Sequence, residues 1–209
     1  LRYAMAMMQT SDRFNTALLF AGDKTPPLNK TYYPITITCD GGSAVILRKN
    51  MDRSLILGVE VATLGNLHDV WYIPGIHNCP EGEEPTDKLL YMTANMDRFN
   101  ESVIPVNLFM FRRVMRGATK RAGIKLRDID YFVYPTFSAW DQRSFCHGLD
   151  IDFEKVYTEG LGRHGHLQEN DMVLNYVDAL EEDRMKTGDL VMVTTNGAGF
   201  TWGAAVVQL

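Results

Sequence analysis

The sequence predicts an α/β protein built on a layered sheet, and three observations carry that expectation. Short apolar runs bounded by Gly, Asp and Pro alternate with amphipathic stretches for most of the 209 residues. The long stretch 102–122 keeps apolar positions at three- and four-residue spacing. Two β-rich runs at the C-terminus are joined by Asn196-Gly197-Ala198-Gly199, the composition of a tight turn. Alternation of the two periodicities is what a sheet flanked by helices requires.

Each element follows in order. Leu1, Ala4, Met5 and Met8 give residues 1–12 a helical apolar face. A Met-rich stripe of this kind is core filler rather than a cofactor box. Thr16–Ala21 reads as a buried strand, and Pro26, Pro27 and Asn29 mark a loop. Ile35–Thr38 and Ser43–Leu47 read as strands around the turn Asp40-Gly41-Gly42, and Leu55–Thr63 as another. Residues 66–97, with three prolines and an acidic run, read as an irregular surface excursion of the kind that covers a site.

The helix over 102–122 carries Pro105 in its first turn, where a missing N–H is harmless, and Gly123 is placed to end it. Asp130–Pro135 then reads as a buried strand, 139–147 as a shorter helix, Val156–Thr158 as a brief strand, and 167–183 as a second amphipathic helix. Asp189–Thr195 and Gly203–Leu209 form the closing antiparallel hairpin.

Composition narrows the function classes. Hydrophobic residues at 45% and charged residues at 22% exclude a disordered chain. A formal charge of -5 argues against a general nucleic-acid binder, which needs clustered Lys and Arg. The basic stretch Arg112, Arg113, Arg116, Lys120, Arg121 is the exception. It reads either as a solvated helix face or as a docking patch for an acidic carrier protein or a nucleotide phosphate. Three scattered cysteines, Cys39, Cys79 and Cys146, fit no disulfide framework and suit a reducing, cytoplasmic setting. No run is long enough to cross a bilayer as a helix, and no membrane partner is expected.

Three blocks near the C-terminus carry a family resemblance: Gly162-Arg163-His164-Gly165-His166, Lys186-Thr187-Gly188-Asp189-Leu190, and Asn196-Gly197-Ala198-Gly199-Phe200-Thr201-Trp202-Gly203. In that order and at compatible spacing they resemble the Gly-Asn-Thr-Ser helix start, the Lys-Pro-Gly-Asp-Leu turn and the Gly-Gly-Gly-Phe-Thr-Trp-Gly loop of β-ketoacyl-acyl-carrier-protein synthase III. Asp40-Gly41-Gly42-Ser43-Ala44-Val45 resembles that family's Gly-Asp-Gly-Ala-Gly-Ala strand entry. Asp130-Tyr131-Phe132-Val133 resembles the strand leading to its Pro-His-Gln-Ala-Asn motif.

The resemblance implies a thiolase-like αβαβα sandwich, with residues 1–48 ending the first half and 49–209 forming the second. It implies acyl transfer from coenzyme A or acyl-carrier-protein thioesters, in fatty-acid-like or specialised-metabolite synthesis. The thioester, of coenzyme A or phosphopantetheine, would be a substrate; no covalently held cofactor and no metal are expected. A homo- or hetero-oligomer is implied as well. Leu1 would open the helix that follows the nucleophilic Cys. The nucleophile then belongs to a missing N-terminal half or to a companion chain.

At the positions of the family's His and Asn the sequence diverges. The His aligns with Pro135 without a gap, or with Thr136 if the prolines are paired, and a threonine hydroxyl is no base near pH 7. The Asn position holds His166, which reads either as a proton-carrying imidazole or as an idle residue at a helix start. Gly197, Ala198 and Gly199 can offer a backbone N–H to an oxyanion, or serve the turn alone. The candidate catalytic residues are therefore His166 and Thr136, with the loop 197–199 as oxyanion donor. A decarboxylating condensation fits these substitutions poorly. Two readings follow: simple acyl transfer to an amine, hydroxyl or thiol, or a non-catalytic subunit that completes an active homologue.

Two further patterns point to other chemistry only weakly. Gly160–Gly165 matches G-x-G-x-x-G, but the next strand ends without the acidic residue that would hold a ribose. His164, His166, Cys146 and His147 include metal-ligating types, but adjacent Cys146 and His147 rarely converge on one ion.

Overall fold

A computed structural model of the chain describes residues 1–24, 31–32, 36–72 and 93–209. Cys79, the loop marks Pro26, Pro27 and Asn29, and most of the excursion expected at 66–97 lie outside the described residues.

Helix α1 spans Arg2–Thr10, and strand β1 follows at Thr16–Asp23. The short strands β2 (Thr31–Tyr32) and β3 (Thr36–Ile37) pair with each other, and β1 pairs antiparallel with β4 (Gly41–Arg48). A second sheet has the order β5-β10-β9-β8. Its strands are β5 (Leu55–Thr63), β8 (Tyr131–Val133), β9 (Leu190–Gly197) and β10 (Thr201–Gln208). β10 runs antiparallel to β5 and β9, whereas β8 is parallel to β9. The minor strands β6 (Trp71–Tyr72) and β7 (Thr93–Ala94) pair beside it.

The helices occupy both faces of this second sheet. Asn95 caps α2 (Met96–Arg98) by accepting from the Arg98 N–H. A π-helical turn, Phe99–Val103, then leads into α3 (Ile104–Ala122). Pro105 lies in the first turn of α3, and Gly123, at φ +74°, closes it in the left-handed region that glycine enters without strain. α4 (Ala139–Leu149) is capped by Ser138. The short α5 (Gly160–Arg163) and a 3-10 turn, Gln168–Asn170, precede α6 (Asp171–Glu181).

Alternation along the strands sorts the core into two faces. Phe132, Met192, Trp202 and Val206 join Phe111, Val114, Met115 and Phe145 on the side of α3 and α4. Tyr131, Val133 and Val191 join Ala179 and Tyr176 of α6 on the other. α6 also touches β4 on its far side, and the 3-10 turn touches both β1 and β4. The layers therefore stack as helix, sheet, helix, sheet.

Two expectations are corrected. Val156–Thr158 forms no strand: Val156 makes an isolated bridge to Phe132 and Tyr157 donates one hydrogen bond to its carbonyl. β1 is not fully buried. Leu18 (59% exposed), Phe20 (80%) and Ile46 (70%) stand out from the β1–β4 pair. Leu18 is paired with Ile46 and Phe20 with Ala44, so these four share one outer face. Among the described residues, helices and turns cover the inner face only, and the run TALLFA is apolar on both sides.

Part of the basic stretch is taken up internally. Arg112 donates to the Gly148 carbonyl at 2.8 Å, and Arg121 pairs with Glu60 at 2.9 Å. No described helix is long and apolar enough to cross a membrane.

Candidate active site around His166

Parallel pairing of β8 and β9 brings their C-terminal ends to the same edge of the sheet. Tyr134–Ser138 follow β8 there, and the 197–200 turn follows β9. The segment Gly165–Leu167, which leads into α6, is clamped at this end by β3 and its continuation. The His166 N–H donates to Ile37 at 2.8 Å, the Cys39 N–H donates to the His166 carbonyl at 2.9 Å, and Thr38 bridges His166 in parallel. Gly165 has φ +68°, and a Cβ there would sit 2.9 Å from the Ile37 carbonyl oxygen, so only glycine lets the two segments meet.

The centre of the site is a carboxylate that the sequence reading did not single out. Asp171, the first residue of α6, has no solvent exposure, against 14% for the His166 side chain. Its Oδ1 accepts the Leu167 N–H at 2.6 Å. Its Oδ2 accepts the Thr136 N–H at 2.7 Å and lies 2.6 Å from His166 Nδ1. Phe137 covers the imidazole, with ring centroids 4.6 Å apart. A buried carboxylate at a helix start that accepts two backbone N–H groups is fixed in place by them, and its charge suits the positive end of the helix dipole.

Thr136 and His166 are thus brought together through Asp171. The Thr136 hydroxyl itself is buried, facing Asn175, whose Nδ2 lies 3.5 Å from it and donates to the Tyr134 carbonyl at 3.0 Å. The 197–199 loop lies at the same end of the sheet. Its Gly199 has φ +119°, and its neighbour Phe200 packs on Phe99 and Trp202.

The cysteines are placed elsewhere. Thr38 stands opposite His166, so alternation turns Cys39 to the other face of the strand, beside Gly165. Cys39 is half-buried. Cys146 is buried on α4, where loss of hydration pushes its thiol up to about 11, the state of an inert packing residue.

The glycines of the G-x-G-x-x-G match have packing reasons of their own. A Cβ on Gly160 would overlap Asn175 Oδ1, and Gly165 serves the close approach just described. His164 points to a different carboxylate, with Nε2 2.9 Å from Asp178 Oδ2. No group of three or more metal-ligating side chains occurs among the described residues.

A second acid stands close by. Tyr134, stacked on Phe145, donates to Asp141 Oδ2 at 2.7 Å. Burial pushes the Asp141 carboxyl up to about 6, while the Tyr134 hydrogen bond and the His166 ring pull it down. Its folded value lies above the unfolded one, so the native state holds the extra proton between about pH 4 and 6. Stability then falls as pH rises through that window. Asp141→Asn is expected to flatten this slope and to stabilise the protein at pH 7 by about 1–2 kcal/mol, discounted for partial solvation. Urea melts of both proteins at pH 4.5 and 7 check it; parallel slopes against pH would refute it.

The signals that point to these acids are modest. His166 and Asp171 are separated by four residues at the start of an amphipathic helix, where an acidic side chain belongs on dipole grounds alone. Asp141 occupies the first turn of α4 for the same reason.

Residues 119–209 match the 3-oxoacyl-[acyl-carrier-protein] synthase III C-terminal family. The β-ketoacyl-[acyl-carrier-protein] synthase III of Caulobacter vibrioides is 26% identical over 177 residues, covering 81% of this chain and 51% of that protein. The Aquifex aeolicus enzyme of the same name is 22% identical over 169 residues, covering 81% and 49%. The chain thus spans about half the length of these relatives. Among solved structures, the Aquifex aeolicus VF5 synthase III superposes with a TM-score of 0.73 at 19% identity, over all of this chain and 63% of that one. The acyltransferase ChlB3 gives 0.81 at 22% over the same shares. A variant of Xanthomonas campestris OleA gives 0.76 at 18%, over all of this chain and 61% of that one. The layers are those of a thiolase-type sandwich. On this fold and these matches, the chain is similar to the C-terminal portion of β-ketoacyl-[acyl-carrier-protein] synthase III proteins, with the family match carried by residues 119–209.

Proposed function

We propose that the protein is an acyltransferase of ketoacyl synthase III type, acting on acyl-coenzyme A or acyl-carrier-protein thioesters. The nucleophilic Cys comes from a segment outside these 209 residues. The observation that carries the reading is the His166–Asp171 pair, 2.6 Å apart, set at the strand ends of a family fold. His166 carries the proton, and backbone N–H groups of the 197–199 loop stabilise the oxyanion formed on the thioester carbonyl. Thr136 serves through its backbone, by holding Asp171.

The outer face of the β1–β4 pair supports a polypeptide companion. Leu18, Phe20, Ala44 and Ile46 form an apolar surface that a first-half helix layer or a companion chain would cover. On this view residues 1–48 end the first half, residues 49–209 form the second, and the assembly is oligomeric and cytoplasmic. The same surface favours the second reading, a non-catalytic subunit that completes an active homologue.

Acyl loading separates the two. The intact assembly is incubated with octanoyl-coenzyme A and with octanoyl carrier protein, thiol release is followed, and mass spectrometry locates any acyl group. We expect release that falls at least 100-fold in His166→Ala. Absence of both release and adduct in the wild type would leave only the partner reading.

A further inference from the structure

We infer that Asp171 is a positioning residue that fixes His166 with its proton on Nδ1 and its Nε2 free as a general base, so that the site takes a protic acceptor, a hydroxyl or an amine. This inference rests on the acyl-transfer reading above.

The tautomer follows from the donors around Asp171. Its carboxylate already accepts two backbone N–H groups, from Thr136 and Leu167. The third contact, at 2.6 Å, therefore needs a donor, and Nδ1 must carry hydrogen. Nε2 has no hydrogen-bond partner among the described residues, and the side chain keeps 14% of its surface open. In the neutral ring Nε2 then carries the lone pair. Such a nitrogen takes a proton well and donates none.

That distinction selects the chemistry. Stabilising an enolate after decarboxylation calls for a donor aimed at the thioester oxygen, and a lone pair there repels the developing charge. Removing a proton from an attacking group calls for the lone pair. Acceptors that keep their proton near neutral pH gain most, which points to hydroxyls and to amines whose N–H proton is lost during attack. A thiol ionises with little assistance and needs such a base least.

The acceptor O or N attacks the thioester carbonyl carbon while its proton moves to Nε2, and the carbonyl π pair passes to oxygen. Collapse of that oxyanion reforms the carbonyl and breaks the C–S bond. The sulfur leaves with the proton from Nε2, so the products are the ester or amide and the free thiol. Asp171 compensates the charge on the ring while it holds both protons, as the carboxylate of a His–Asp pair does.

Two measurements on the intact protein test this. Nitrogen-15 spectra of labelled histidine in the wild type should show the neutral His166 ring protonated at Nδ1 and unprotonated at Nε2. Turnover of octanoyl-coenzyme A is then followed with 1-propanol and with glycinamide as acceptors. Asp171→Asn should reverse the tautomer and lower kcat at least 100-fold with KM changed less than threefold. A product from either acceptor supports the inference, and the acceptor used fixes its class. Protonation at Nε2 in the wild type overturns it, with no dependence on how any variant folds. So does an Asp171→Asn protein that keeps its kcat within threefold. If the protein loads acyl groups but transfers them to neither acceptor, the acceptor class is overturned and the acyl-transfer reading stands. If it neither loads nor transfers, both fall.

Discussion

Gly58→Ala should destabilise the protein by about 3 kcal/mol or more, lowering the melting temperature by roughly 6–12 °C for a chain of this size. Gly58 lies in β5, opposite Val206 of β10 and beside the register shift at Val206/Val207. α3 crosses it there. A Cβ at this position would overlap the Ala118 carbonyl oxygen and lie 2.9 Å from the Ala122 nitrogen. Those are helix backbone atoms, which cannot rotate aside as a side chain can. The helix must lift, loosening Val114, Met115 and Ala118 from the core and straining the Arg121–Glu60 pair beside them. Thermal melts followed by circular dichroism at 222 nm provide the check. A fall of under 2 °C would mean that α3 does not rest on β5 as described.

What was legible in the sequence divides along physical lines. The closing hairpin, the end of α3 at Gly123 and the Pro105 start are local: turn chemistry and periodicity act within a few residues, and the structure places each where they indicate. β1 departs from the expected burial for a different reason. An apolar run such as TALLFA tells that both faces avoid water, but not whether packing partners are present. Val156–Thr158 failed because a β-bridge needs only two residues, fewer than any periodicity can register.

The site was legible in part. His166 stands out because the synthase III pattern the sequence resembles has Asn at that place, whereas Asp171 looks like an ordinary acidic helix start. Only the fold shows that one carboxylate joins three segments far apart in the chain: the end of β8, the approach to α6, and, through His166, the strand end at Thr38. Thr136 was singled out by its place in a motif, and side-chain direction could not be read there. Its backbone N–H meets Asp171 while its hydroxyl turns to Asn175.

Asp171→Ala should cost about 3–5 kcal/mol of stability, well above the roughly 1–2 kcal/mol expected for His166→Ala. Removing the carboxylate strands the N–H groups of Thr136 and Leu167 in a region without solvent, each at about 1–3 kcal/mol, and leaves the imidazole without its partner. Removing the half-buried ring takes away one hydrogen bond and the contact with Phe137, but Asp171 keeps both backbone donors. Urea melts of the two variants, compared with their rates, separate scaffold from chemistry. His166→Ala should lose turnover while remaining close to wild-type stability, and Asp171→Ala should lose both. Equal losses of stability would mean that the ring, rather than the carboxylate, ties these segments together. The inequality follows from the number of donors each side chain satisfies: Asp171 satisfies three, whereas His166 supplies only one of them.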